Sequence, residues 1–230
     1  MKKRNPTIVI SLGGSIIVPG EIQAEFIKNF RDFIFKFLKR GYRFIIVTGG
    51  GSIARNYIKA ASEITKTSDE DKDWLGIHAT KINAQLIKTV FKKVAYPTIL
   101  SNPLKKINER KYRLFIASGW KPGWSTDYIT VLLAKRFKAD KIINASNIDY
   151  VYDKNPLTEK NARPIKKMGW NDYRKIIGSK WKPGMKAPID PVAAKLASKL
   201  KMGIIVARGT NLKNLGNILT NKKFKGTMIT

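Results

Sequence analysis

Thr7-Ile-Val-Ile-Ser-Leu-Gly-Gly-Ser15 and Tyr42-Arg-Phe-Ile-Ile-Val-Thr-Gly-Gly-Gly-Ser52 decide the fold class. Each is a β-branched, apolar run that stops in consecutive glycines. A run that alternates with polar residues suits a strand with one wet face, whereas a continuous one suits a strand buried on both faces of a parallel sheet. Between them, residues 21–39 carry Ile22, Phe26, Ile27, Phe30, Phe33, Ile34, Phe37 and Leu38 at helical spacing and lead to Gly41, where a C-terminal cap belongs. Residues 53–64 read as a helix after the second glycine run. Strand, glycine turn and helix therefore occur twice before residue 65.

The alternation continues outward. Residues 65–73 are polar and read as a loop, 74–94 have helical periodicity, and 97–100 and 113–117 are strand candidates. A helix over 128–137 precedes a strand over 141–145. After a polar break at 156–164 come a short helix (168–177), a glycine- and proline-bearing loop (179–188), a helix (190–200), a last buried strand (203–207), a helix (212–219) and an edge strand (227–229). The pattern predicts an α/β protein in three layers, a mostly parallel central sheet sandwiched by helices. A length of 230 residues suits one domain with a full core.

The chain carries 45 Lys and Arg against 16 Asp and Glu, a formal charge of +29. Its clusters, such as Lys2-Lys3-Arg4, Lys105-Lys106, Lys166-Lys167 and Lys222-Lys223, are scattered rather than gathered on one tail or helix face. They read first as a solvated lysine-rich surface, second as an attractor of nucleotides; nucleic-acid binding is not expected. The absence of cysteine excludes disulfides, thiolate metal sites and a thiol nucleophile. No apolar run approaches the roughly 20 residues of a membrane helix, and the start has no signal-peptide pattern, so no membrane role and a cytoplasmic location are expected.

A third glycine-bearing segment, Gly119-Trp-Lys-Pro-Gly-Trp-Ser-Thr126, also follows a predicted strand. In an open parallel sheet, ligands sit beyond the carboxyl ends of the strands, and N–H groups at helix starts bind anions. Three such loops suit a polyphosphate. None is a Walker P-loop or a Gly-x-Gly-x-x-Gly turn. Arg55 lies one helical turn after Gly51, within reach of an anion there, with a plain surface arginine as the equal alternative.

Six segments then occur in order: Ile10-Ser-Leu-Gly-Gly-Ser15, Thr48-Gly-Gly-Gly-Ser-Ile-Ala-Arg55, Gly76-Ile-His-Ala-Thr-Lys-Ile-Asn-Ala84, Pro122-Gly-Trp-Ser-Thr-Asp127, Ser146-Asn-Ile-Asp-Tyr-Val-Tyr152 and Ile189-Asp-Pro-Val-Ala-Ala-Lys195. Together they resemble the archaeal-type uridylate kinases of the amino acid kinase superfamily. The resemblance implies the amino acid kinase fold, phosphorylation of UMP by ATP with Mg²⁺ carried on the nucleotide, and a homo-oligomer, a hexamer built from dimers. It implies an acceptor lobe over about 1–127 and an ATP lobe over about 128–230. Gly13, Gly14 and Arg55 would serve the transfer, with Asp190 orienting cations; Asp190 also reads as a helix N-cap. Gly50, Asp73, Trp120, Lys121, Pro122, Gly123, Trp124, Ser125 and Thr126 would hold UMP, with Asp73 on the ribose hydroxyls. Gly13, Gly14, Gly51, Arg55, Ser146, Asn147, Tyr152 and Asn155 would hold ATP. No protein metal cage is expected.

Ser11 stands where bacterial relatives place a lysine, and Lys121, Lys182 and Lys186 are the candidate replacements. Ser52 replaces a lysine of some relatives, and Tyr150 and Asn155 depart from the donor-site pattern. His78 is expected to have no chemical role. Two other readings stay open: another acceptor, such as isopentenyl phosphate, on the same fold, and a non-catalytic nucleotide- or nucleic-acid-binding relative.

Overall fold

The computed structural model describes residues 5–108, 111–156, 158–178 and 187–230. Strands β1 (Thr7–Leu12), β2 (Arg43–Thr48), β3 (Leu114–Ala117), β4 (Lys141–Ser146) and β8 (Ile204–Arg208) run parallel, in the spatial order β3-β2-β1-β4-β8. The sheet continues through β9 (Thr227–Ile229), antiparallel to β8, to the two-residue β7 (Lys167–Met168). A separate ribbon pairs β5 (Val151–Tyr152) with β6 (Pro164–Ile165).

Side chains alternate across the sheet, so β1 feeds two cores. Ile8, Ile10 and Leu12 join Phe30, Ile34 and Phe37 of α2 (Ala24–Lys39), Ile87 of α4 (Asp69–Val90) and Ile218 of α8 (Leu212–Leu219). Val9, with Ile45 and Val47, joins Ile129 and Leu133 of α5 (Thr126–Phe137), Tyr173 of α6 (Trp170–Ile177) and Ala193 and Ala197 of α7 (Pro191–Lys199). Full burial of each large side chain contributes roughly 1.5–3 kcal/mol. The remaining helices of the described residues are the four-residue α1 (Gly14–Ile17), directly after β1, and α3 (Gly51–Ile64), directly after β2.

The three-layer α/β expectation therefore holds, with local corrections. Half of the polar 65–73 stretch is helix, because Ser68 caps α4 through a reciprocal box in which its side chain accepts from the Asp71 N–H while Asp71 accepts from the Ser68 N–H. The helix ends at Val90 rather than 94. Residues 97–100 are not a strand; only isolated bridges join Ala95 to Leu114 and Leu100 to Ala117. Strand β9 is not the sheet edge, since β7 covers it. The loop expected over 179–188 lies outside the described residues up to 186.

Candidate active site

The strand order changes direction at β1. Chain order runs from β1 to β2 to β3 on one side and continues through β4 and β8 on the other, so a crevice opens beyond the carboxyl ends of β1 and β4. The glycine loops after β1, β2 and β3 and the Ser146 loop after β4 all open at this edge.

The first two loops touch back to back. A Cβ on Gly14 would lie 2.0 Å from the Gly51 nitrogen and 2.7 Å from the Gly49 carbonyl carbon, so no side chain fits. Gly51 has φ +67°, a left-handed conformation, and its own Cβ would meet the Gly14 carbonyl oxygen at 2.5 Å. The Asn83 side chain on α4 donates to the carbonyls of Gly49 (2.8 Å) and Gly50 (3.1 Å). Those carbonyls are thus turned toward α4. Among the described residues, the N–H groups of Gly14, Gly50 and Gly51 donate to no partner, which leaves them for an anion in the crevice. Arg55, on the second turn of α3, is exposed and donates to the Pro19 carbonyl at 3.1 Å.

The third loop is held by α4 as well. Gly119 N–H donates to Thr80 Oγ1 (2.9 Å), and Gly123 N–H donates to Asp73 Oδ2 (2.7 Å). Burial holds Asp73 above the usual carboxylate range, with the Gly123 N–H opposing and Asp69 adding to the effect. Trp120 and Trp124 meet edge to face with centroids 4.8 Å apart, and Lys121 Nζ lies 4.8 and 4.6 Å from their ring centroids. Both indoles pack against the core that holds Val9, Ile129 and Ala193. Pro122 is half-buried and Gly123 exposed, and Thr126 is the first residue of α5. Ser125 caps α5 by accepting from the Tyr128 N–H, and its hydroxyl donates to Asp190.

Asp190 is itself the N-cap of α7, accepting from Val192 N–H (2.8 Å) and Ala193 N–H (3.0 Å), so its helix-entrance reading is correct. It is buried, and Tyr173 fixes the preceding residue by donating to the Ile189 carbonyl and accepting from its N–H. Next to it lies Asp127, a residue to which the sequence assigned no role. Asp127 Oδ1 accepts from Ser11 Oγ and from Asn144 Nδ2, each at 3.2 Å, and its carboxyl also takes the Asp190 backbone N–H. Burial, reinforced by the negative charge of Asp190, pushes Asp127 up to about 7 against the pull of those donors. The signal for this network was present in the sequence: Ser11 and Asn144 are polar residues inside apolar strands, and they are register partners across β1 and β4.

Beyond β4, Ser146 ends the strand and Tyr152 lies in β5, its ring edge-on to Tyr150 at 6.5 Å. Asn147 and Asn155 are exposed. A bidentate pair missed by sequence reasoning, Arg208 to Asp149 at 3.0 and 3.1 Å, ties the end of β8 to this loop. His78 is exposed beside Trp74. Lys182 and Lys186 lie outside the described residues. Among the described residues no group of three or more His, Cys, Asp or Glu side chains is placed to hold a metal ion. No helix of the described residues is long and apolar enough to cross a membrane.

The sequence profile of the amino acid kinase family matches residues 6–208. The chain belongs to this family. Among its relatives, a uridylate kinase from Thermoplasma volcanium is 36% identical over 225 residues, covering 95% of each chain. One from Thermococcus sibiricus is 31% identical, covering 96% of this chain and 98% of its own. The crystal structure of the uridylate kinase from Archaeoglobus fulgidus superposes with a TM-score of 0.82 at 31% identity, covering 97% of this chain and 99% of the other. A UMP kinase from Bacillus anthracis shares the fold at 20% identity with a TM-score of 0.79.

Proposed function

We propose that this member of the amino acid kinase family transfers the γ-phosphoryl group of ATP to UMP, giving UDP and ADP. The observation that carries the reading is the abutment of Gly14 on Gly51, which gathers unpartnered N–H groups from two loops at the fold's switch point. In-line transfer needs positioning and positive charge on oxygens rather than a covalent intermediate. A phosphate oxygen of UMP attacks the γ-phosphorus as the bond to the bridging oxygen of ADP breaks. Gly13, Gly14, Gly51 and Arg55 line the transferred group, and Asp190 orders the floor through its contacts with Ser125 and α7. Gly50, Asp73 and residues 120–126 hold UMP. Asp73 uses one oxygen on Gly123 and keeps the other for a ribose hydroxyl, while Ser125, committed to its cap and to Asp190, contributes backbone rather than hydroxyl. Ser146, Asn147, Tyr152 and Asn155 hold ATP. A magnesium ion would arrive on the phosphates of the nucleotide, and its charge would offset theirs. In this reading β1–β3 belong to the acceptor lobe, residues 1–127, and β4–β9 to the donor lobe, residues 128–230; the protein works in the cytoplasm.

Copies associate through the outer face of α3 and α4. Helix α3 buries Ser52 alone and leaves Tyr57 and Ile64 65% and 84% exposed, and Trp74 and Ile82 of the adjacent α4 are exposed as well. A hexamer is the assembly proposed. The activity is tested by a coupled assay with ATP and Mg²⁺ offering UMP, CMP, AMP, isopentenyl phosphate and acetylglutamate at equal concentration. Selective turnover of UMP is expected; turnover of another acceptor, or of none, overturns the reading.

A further inference from the structure

The loop that joins β4 to β5 carries Asn147 and leads to Tyr152. Strand pairing stops at Ser146, whose register partner is Arg208 and whose carbonyl accepts from the Gly209 N–H at 2.8 Å. It resumes at Val151, which pairs with Ile165 and donates its N–H to Thr227 Oγ1 at 2.8 Å. Between these anchors the Ile148 N–H reaches only the neighbouring Ser146 hydroxyl, at 3.4 Å, and the Ile148 side chain packs on the core that holds Val9. Among the described residues, one polar side-chain contact ties residues 147–150 to the sheet. Asp149 accepts from Arg208 Nε at 3.0 Å and from Arg208 Nη2 at 3.1 Å.

The two side chains are 43% and 37% exposed, so the pair adds little to global stability. Its two parallel bonds fix direction as well as distance, because the guanidinium and the carboxylate meet as planar forks. Arg208 closes β8 at the carboxyl edge of the sheet, where the glycine loops open. We propose that Arg208 is a positioning residue for the phosphate donor, acting through Asp149 to hold the loop of Asn147 and Tyr152 in the arrangement that receives ATP. The proposal rests on the donor-site reading above and adds the contact that sets its geometry. A loop ordered in advance lowers the entropic cost of binding, so losing the contact weakens donor binding and leaves the later chemistry intact.

The test measures kcat, KM for ATP, KM for UMP and thermal unfolding in wild type, Arg208→Met, Asp149→Asn and the double variant. Each single substitution is expected to raise KM for ATP about five-fold, with kcat and KM for UMP within about two-fold and the unfolding temperature little changed. Simple electrostatics predicts opposite signs, since removing a cation repels the triphosphate and removing an anion attracts it. Positioning predicts the same sign for both. The double variant is expected to match the singles rather than multiply them, because all three lose one contact. Arg208→Lys, which keeps the charge without the fork, is expected to fall between wild type and Arg208→Met. Unchanged KM for ATP, a rise in Arg208→Met that Asp149→Asn does not reproduce, multiplied effects in the double variant, or equal losses for both substrates overturns the proposal. If wild type turns over no UMP, the activity reading fails, and calorimetric titration with ATP and Mg²⁺ decides the positioning role. Binding about five-fold weaker in both single variants supports it, whereas equal binding by all, or none by wild type, overturns it.

Discussion

Gly14 is the position where one atom decides most. A methyl group there has nowhere to go, because its neighbours are backbone atoms of Gly49 and Gly51 rather than yielding side chains. Gly14→Ala is expected to cost on the order of 3 kcal/mol and to abolish phosphotransfer, read by thermal unfolding and the UMP assay. Asp127 carries a pH-dependent cost. Its carboxyl is raised to about 7 in the folded state, so its contribution favours folding at acid pH and is lost as pH rises through about 7. Asp127→Asn is therefore expected to gain on the order of 3 kcal/mol relative to wild type between pH 4 and pH 8, measured by urea unfolding at both pH values. An equal difference at the two pH values contradicts this.

Among the elements, α4 shows what local sequence conveyed and what it did not. Its capping box, Ser68 with Asp71, is a readable start signal that the run of acids and lysines around it obscured. Ser68→Ala is expected to cost about 1 kcal/mol, to speed hydrogen exchange in the first turn, and to raise KM for UMP by loosening Asp73 from Gly123, with kcat little changed. The runs that became β1, β2 and α8 were legible because continuous burial or clean amphipathicity leaves one interpretation. Residues 97–100 failed because a short β-prone segment becomes a strand only if a neighbour pairs along its length, and here pairing stops at two bridges. The strands β5–β7 are two residues each, below what any periodicity reveals. In the site, glycine loops announced themselves by position, whereas the Ser11–Asp127–Asn144 contact joins three separate segments and depends on register.

At the scale of the whole molecule, charge and assembly compete. A net charge of +29 per copy opposes close association, and salt weakens that opposition. In the proposed assembly the exposed apolar residues of α3 and α4 would supply the attraction. Light scattering is expected to report a homo-oligomer that grows more stable with added salt, and Ile64→Asp is expected to shift it toward monomer. A wild-type monomer at all salt concentrations contradicts the proposed assembly.

Helix α4 also works as a ruler. Along one rigid rod, Asp73 grips the Gly123 turn, Thr80 grips Gly119, and Asn83 grips the carbonyls of Gly49 and Gly50. Ten residues from Asp73 to Asn83 span about 15 Å of helix, and that length is the gauge between the loops. One residue added inside this span turns everything beyond it by about 100° and lifts Thr80 and Asn83, or Asp73, off their loops. Growth of the chain is confined to places such as residues 101–108, where extra length leaves the gauge untouched.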